Sequence, residues 1–391
     1  MSDANNTRFT IVDENVGGGG TAGQTPTSPT WLPLRTLGST LAPQNRVLES
    51  REIRSNRNPP GAKLGAPASG GSLPFELHFD STGAFWELLK ASIQTTTAAA
   101  AGSTVSSVAG DPAPTLTASG IAASLGCEIG DVLEITKTGV LQYRRVLSFT
   151  ADEITYEGPV INTPGLTVKR GIRIKNGSTP KSWSMMESNY APGGSSYARF
   201  EIFRGQSVDG FSLSAALEQI TTGAFEIVGP GSAGLSTSDP STGTPSYATA
   251  APTTEVHDSG NNVPSILVSG VEYPCQTVSF QWRNGSKPRG VIGQRTPTGV
   301  GTGTFRGSGQ ITAYYDDIVE YNKALAGTAS DLVFVSRDST GKAYAFSMPA
   351  VRWGNPTRTN KTQDEQIVTN LPFTFETDAI ENIGLRIMAY A

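Results

Sequence analysis

The chain has 391 residues, enough to bury two or three cores, and only 16% of them are charged. Its 44 Gly and 25 Pro sit among many Thr and Ser, which describes short strands and turns and argues against a helical bundle. A formal net charge of −4 leaves no global electrostatic footprint for tight phosphate binding, so a specific nucleic-acid reader is disfavoured.

Residues 1–30 contain Gly17-Gly18-Gly19-Gly20 and Gln24-Thr25-Pro26-Thr27-Ser28-Pro29, too little apolar surface to offset ordering entropy. They predict a flexible N-terminal arm. The start has neither a basic n-region nor an apolar h-region, and no apolar run approaches the ~18 residues of a spanning helix. Cys127 and Cys275 show no CxxC spacing, so neither a disulfide framework nor a thiolate zinc site is signalled. The expectation is a soluble protein made in a reducing cytoplasm.

Two segments carry helical spacing. Asp80-Ser81-Thr82 caps Ala84–Ala91, where Phe85, Leu88 and Leu89 recur on one face, and Asp316-Asp317 precedes Ile318–Leu325, which stops near Gly327. Most of the remainder reads as strand and turn, as in Ala198–Phe203, Thr277–Trp282, Leu332–Val335 and Phe373–Glu376.

Both helices follow a strand, and each of those strands follows a polar strand with a basic Gly/Pro loop. Arg51–Gly61 resembles Val278–Gly290 in this respect. Farther on, Ser182–Gly229 lies beside Asp331–Thr377, with Tyr197-Ala198 meeting Tyr344-Ala345. This pattern implies an internal duplication: a first copy over 31–101 plus 180–230, a linker over 231–270, and a second copy over 271–391. The first copy is interrupted by an insertion over 102–178, whose alternating runs Asp131–Ile135, Leu141–Leu147 and Glu153–Tyr156 predict a small β-barrel or sandwich.

Catalytic patterns are sparse. His78 alternates within a strand and reads as a packed or edge histidine, while His257, in a polar linker beside Asp258, reads as exposed, so neither is a convincing base. Gly299–Gly307 fits neither GxGxxG nor a Walker loop and precedes a strand instead of following one. No cofactor or metal is implied. Arg51, Arg54, Arg57 and Lys63 on the first loop, with Arg283, Lys287, Arg289, Arg295 and Arg306 on the second, form two basic clusters. They are read as solvated loop charge or as contacts to acidic surfaces of neighbouring subunits, with DNA contact disfavoured by the scarcity of aromatics.

The succession of basic loop, strand and capped helix, then strand, turn and strand ending in Tyr344–Trp353 and the closing run Asp364–Asp378, resembles the tail tube proteins of long-tailed bacteriophages (siphophages). That resemblance implies a mainly β fold of two tandem tube-type β-sandwich/barrel domains, each with one flanking helix, plus the small inserted β module. It also implies a non-enzymatic virion protein that stacks into rings, its sheets joining into a continuous inner barrel that conducts genomic DNA. Family members commonly form six-membered rings of single domains, so a duplicated chain implies trimeric rings with pseudo-sixfold symmetry, a hexamer being the alternative. Implied partners are further copies, a tape measure protein, and tail terminator and baseplate or tip proteins, with non-specific passage of duplex DNA and no membrane insertion. Assembly would take place in the host cytoplasm. A mildly acidic lumen wall would repel phosphates. Rival readings of the same composition are a carbohydrate-binding adhesin or tail-fibre lectin and, farther off, a glycoside hydrolase.

Overall fold

A computed structural model of the chain describes residues 7–14, 22–50, 61–190, 196–248, 253–263, 265–314, 318–359 and 367–391. The fold is mainly β, as the sequence implies. The N-terminal region departs from the expected arm: Thr7–Asp13 is strand β1, with Phe9 and Ile11 buried. The run Phe9-Thr10-Ile11-Val12 buries enough apolar surface to offset its ordering cost, and the described Pro-rich stretch after it is tied down by Thr25 Oγ1 to Ser184 Oγ at 2.8 Å and by Ser28 N–H to Thr242 O at 2.8 Å. Strand β2 (Thr30–Pro33) pairs with β1.

Strands β3 (Ala42–Glu49) and β4 (Ala62–Glu76) form an antiparallel hairpin. Every residue of β3 is exposed, whereas β4 buries Leu73 and Phe75 near its end, so the distal hairpin projects and only its root joins the core. Helix α1 (Ala84–Ser92) follows, with Phe85, Leu88 and Leu89 buried. Its start is fixed by Asp80, whose carboxylate accepts the backbone N–H groups of Thr82, Gly83 and Phe85 at 3.1, 2.6 and 3.2 Å.

The interruption of the first copy is a closed six-stranded barrel made of β5 (Val105–Gly110), β6 (Thr115–Thr117), β7 (Val132–Lys137), β8 (Val140–Phe149), β9 (Glu153–Tyr156) and β10 (Leu166–Arg170). It fills its interior with Leu116, Val146, Ile154 and Val168. Thr138 and Gly139, both at positive φ, make the two-residue turn between β7 and β8. A helix absent from the sequence reading, α2 (Ile121–Leu125), lies between β6 and β7. Five residues are too few to show a helical period.

Strand β11 (Ile172–Lys175), inside the expected insertion, pairs with the last strand of the chain and not with the barrel, and β12 (Trp183–Tyr190), β13 (Tyr197–Ala216) and β14 (Thr222–Gly229) follow in the stretch read as the rest of the first copy. The 20-residue β13 serves two sheets, pairing with β12 through its first half and with β14 through its second. A register shift between Val208 and Gly210 marks the passage from one to the other. The stretch expected as a linker holds β15 (Ser232–Ser236), β16 (Ser246–Tyr247) and β17 (Ser265–Val268), and β18 (Val271–Glu272) follows directly after it. Within it His257 is fully buried, contrary to the sequence expectation. The chain is pinned there by backbone bonds from His257 N–H to Leu77 O and from Thr221 N–H to His257 O, a tertiary constraint that local polarity cannot reveal.

The second copy comprises β19 (Cys275–Arg283), β20 (Lys287–Pro288), β21 (Val300–Gly301), β22 (Arg306–Tyr314), α3 (Ile318–Ala326), β23 (Ala329–Arg337), β24 (Ala343–Trp353), β25 (Thr357–Thr359), β26 (Val368–Phe375) and β27 (Arg386–Tyr390). Gly327, at φ +67°, follows α3 where the sequence places its stop; Asp316 and Asp317 lie outside the described residues. In the first copy β3 pairs with β4, β4 with β14, β14 with β13, and β13 with β12. In the second, β19 pairs with β22, β22 with β26, β26 with β24, and β24 with β23, the same graph. Both copies contribute to one hydrophobic core, from Phe75 and Phe85 to Phe346 and Phe373.

Candidate assembly surface

The two copies meet edge to edge. Strand β13 pairs with β19 over seven residues, Gly210 opposite Arg283 through Ala216 opposite Thr277. The hydrogen-bonded run β3, β4, β14, β13, β19, β22, β26 and then β24 with β25 is therefore one continuous sheet.

The two faces of this sheet differ because side chains alternate along each strand. One face is apolar, and the paired row Phe75, Gly223, Leu213, Phe280, Gly309, Phe373, Trp353 packs into the core. The opposite face carries the row Pro74, Ala224, Ser212, Gln281, Ser308, Thr374 and, beside it, Glu76, Thr222, Ser214, Ser279, Gln310, Pro372. It is concave and lines an open hollow of about 1090 Å³. Hydroxyl and amide groups dominate its centre. Charges of both signs also sit on this face: Glu76 and Glu226 in the first copy, Arg283 and Arg306 in the second, and Arg352, which pairs with Glu376.

Two hairpins rise from the sheet. In the first, Lys63 is exposed on β4, while Arg51, Arg54 and Arg57 lie outside the described residues. In the second, Arg283 pairs directly with Arg306 at the base, and Lys287, Arg289 and Arg295 continue outward, all five exposed. The base is held firmly: the Asn284 amide donates to Ser92 O and Val208 O at 2.9 and 3.2 Å, and Ser286 N–H donates to the Asp209 carboxylate at 2.5 Å. Sequence reasoning found the basic residues of this hairpin but not its apolar tip, Val291-Ile292, which is exposed ahead of Gly293 at φ +87°. An apolar pair next to a turn glycine was the available signal.

The barrel is clamped to the body by ion pairs that spacing alone could not reveal. Arg386 bonds Asp131 at 2.6 Å, Arg145 bonds Glu381 at 2.6 Å, and Arg173 bonds Asp131 at 2.7 Å. Around them Val132 and Tyr143 of the barrel share an apolar cluster with Leu267, Val333 and Tyr390 of the body. Burial, reinforced by the Glu157 charge, pushes the Asp331 carboxyl at this joint up to about 8.

Burial lowers His257 to about 4, and its Nδ1 meets Ser336 Oγ at 2.7 Å; burial likewise lowers His78. No helix among the described residues is long and apolar enough to cross a membrane.

Comparison with curated proteins gives no match. A family model described as "Phage tail tube protein" matches residues 4–376, nearly the whole chain, in keeping with the mainly β fold and its extended sheet. The chain belongs to the phage tail tube protein family, whose members are structural components of the virion tail.

Proposed function

We propose that copies of this chain join through their sheet edges into rings, and that the rings stack into a hollow tube that passes duplex DNA, with no enzymatic step. The observation that carries this reading is the β13 and β19 junction, where two equivalent sheets already unite edge to edge within one chain. Among the described residues the outermost strands, β3 at one end and β25 at the other, each pair with a single strand of the run and leave one flank for another chain. Edge strands of this kind invite pairing by strand addition.

Since each chain supplies two copies, three chains supply six, and we favour trimeric rings of pseudo-sixfold symmetry over hexamers. The concave face would line the lumen. Its central Ser, Thr and Gln side chains would give duplex phosphates little net field, so that Arg283, Arg306 and the Glu376-paired Arg352 would be the cations available for counterion release. The hairpins bearing Lys63, Arg283, Lys287, Arg289, Arg295 and Arg306, with Arg51, Arg54 and Arg57, would set the register between rings by charge. Tape measure, terminator and baseplate or tip proteins would bound the tube, assembled in the host cytoplasm of a siphophage, with the barrel of residues 105–170 on its outside.

Negative-stain microscopy of purified protein, alone and with an initiating tail-tip complex, tests this. Hollow tubes or rings are expected, and discrete particles that deplete glycans would support the adhesin or glycosidase readings instead.

A further inference from the structure

Strand β19 has an apolar projection beyond one end and an apolar cleft at the other. Beyond Arg283 the second hairpin carries Val291 and Ile292 at its tip, Ile292 being fully exposed. At the Cys275 end, about 26 Å away for nine residues of strand, lies a cleft of about 460 Å³ lined by Leu217, Val263, Ile266, Tyr273, Pro274 and Cys275.

The charges around the two features are opposite. Lys287, Arg289 and Arg295 flank the tip, whereas Glu272 lines the cleft and exposed Glu218 follows Leu217. Leu217 and Val271 are more than half exposed beside the cleft, an apolar area that a monomer would leave in water. Knob and socket lie on different parts of one molecule. Their union between copies is therefore heterologous, and a head-to-tail contact that does not close on itself propagates as a filament.

We propose that the Val291-Ile292 tip of one chain seats in the Leu217/Tyr273/Cys275 cleft of a second copy in the adjoining ring, with Glu272 and Glu218 meeting the tip's basic flank. The inference rests on the tube reading and adds the axial contact, its polarity and its partner surface. The tip's rigid root at Asn284 and Asp209 limits the ordering cost of docking to the turn itself.

The native Cys275 makes the test direct, since it is a free, partly buried thiol in the socket, while Cys127 is buried in the barrel. Ile292→Cys protein is assembled into tubes, oxidised with copper phenanthroline and run on a non-reducing denaturing gel. A ladder rising one chain at a time, lost in the Cys275→Ser background, is the expected result. Intact tubes that yield only monomers, or only a dimer that persists without Cys275, overturn the socket while leaving the tube reading standing. Failure of wild-type protein to form tubes strikes the tube reading instead. As a second arm, Glu272→Lys should abolish stacking, and Arg289→Glu or Arg295→Glu in the same chain should restore it. Double variants that stack no better than Glu272→Lys alone overturn the proposal.

Discussion

Phe211 and Trp282 lie directly opposite each other across the junction of the two copies, their rings stacked with centroids 4.4 Å apart. The Trp282 indole N–H also donates to Ser92 O at 3.1 Å, tying the junction to the end of α1. This pair joins one copy's sheet to the other's, so its loss should be felt by both.

Trp282→Ala should destabilise the chain by about 3–5 kcal/mol, the range for deleting a large buried aromatic. Chemical denaturation of the unassembled chain measures it. A loss below about 1 kcal/mol would show that the junction does not bind the copies together.

Gly309 faces Phe373 across β22 and β26, as Gly223 faces Phe75 across β14 and β4. A Cβ at Gly309 would stand 2.4 Å from the Phe373 ring and 2.5 Å from Ser279 O, a backbone atom that cannot swing aside. Gly309→Ala should therefore cost about 1–3 kcal/mol, as overpacking does, and the paired variant Gly309→Ala with Phe373→Leu should recover part of it. Thermal melts of the three proteins check the coupling.

At the joint between barrel and body, Arg386 bonds Asp131 at 2.6 Å and Glu381 at 3.1 Å, all three nearly inaccessible to water. Arg386→Met leaves Glu381 and Asp131 each short of a partner, and about 3–5 kcal/mol of destabilisation is expected for breaking a buried pair from one side. Limited proteolysis should release the barrel faster in the variant than in wild type.

Asp331 gives the joint a pH dependence of definite sign. Its folded carboxyl sits near 8 against about 3.9 when unfolded. The folded state thus holds a proton that the unfolded state gives up, and stability falls as pH rises between those values. The contribution is complete below about pH 4 and gone above about 8. Arg145, Glu157 and Glu381 face the same joint, and the comparison that isolates Asp331 is with Asp331→Asn, whose melting temperature should decline less from pH 5 to 8. Equal slopes would contradict the assignment.

Much of the architecture was legible in the sequence because it is written locally. Asp80 before Phe85 announces α1, and the alternation read at Asp131–Ile135 and Leu141–Leu147 falls on the barrel strands Val132–Lys137 and Val140–Phe149. The proposed duplication was read from a strand and a helix placed in the same order in both halves, and the two halves share one order of strand pairing. What escaped depends on partners far along the chain. β1 exists through its pairing with β12, more than 170 residues on, and His257 is buried by Leu77 and Ser336. The axial candidate site was half legible: its arginines stand out in composition, but the cleft is assembled from Ala215–Leu217, from Ser259, Val263, Ser265 and Ile266, and from Glu272–Val278, which only folding brings together.

Mass measurement of single isolated rings, together with electron microscopy of the tubes they build, addresses the ring claim itself. Three chains per ring, with each chain's sheet continuing into its neighbour's around the lumen, is the predicted result. Protein that stays monomeric at high concentration and fails to polymerise on an initiating complex would contradict it.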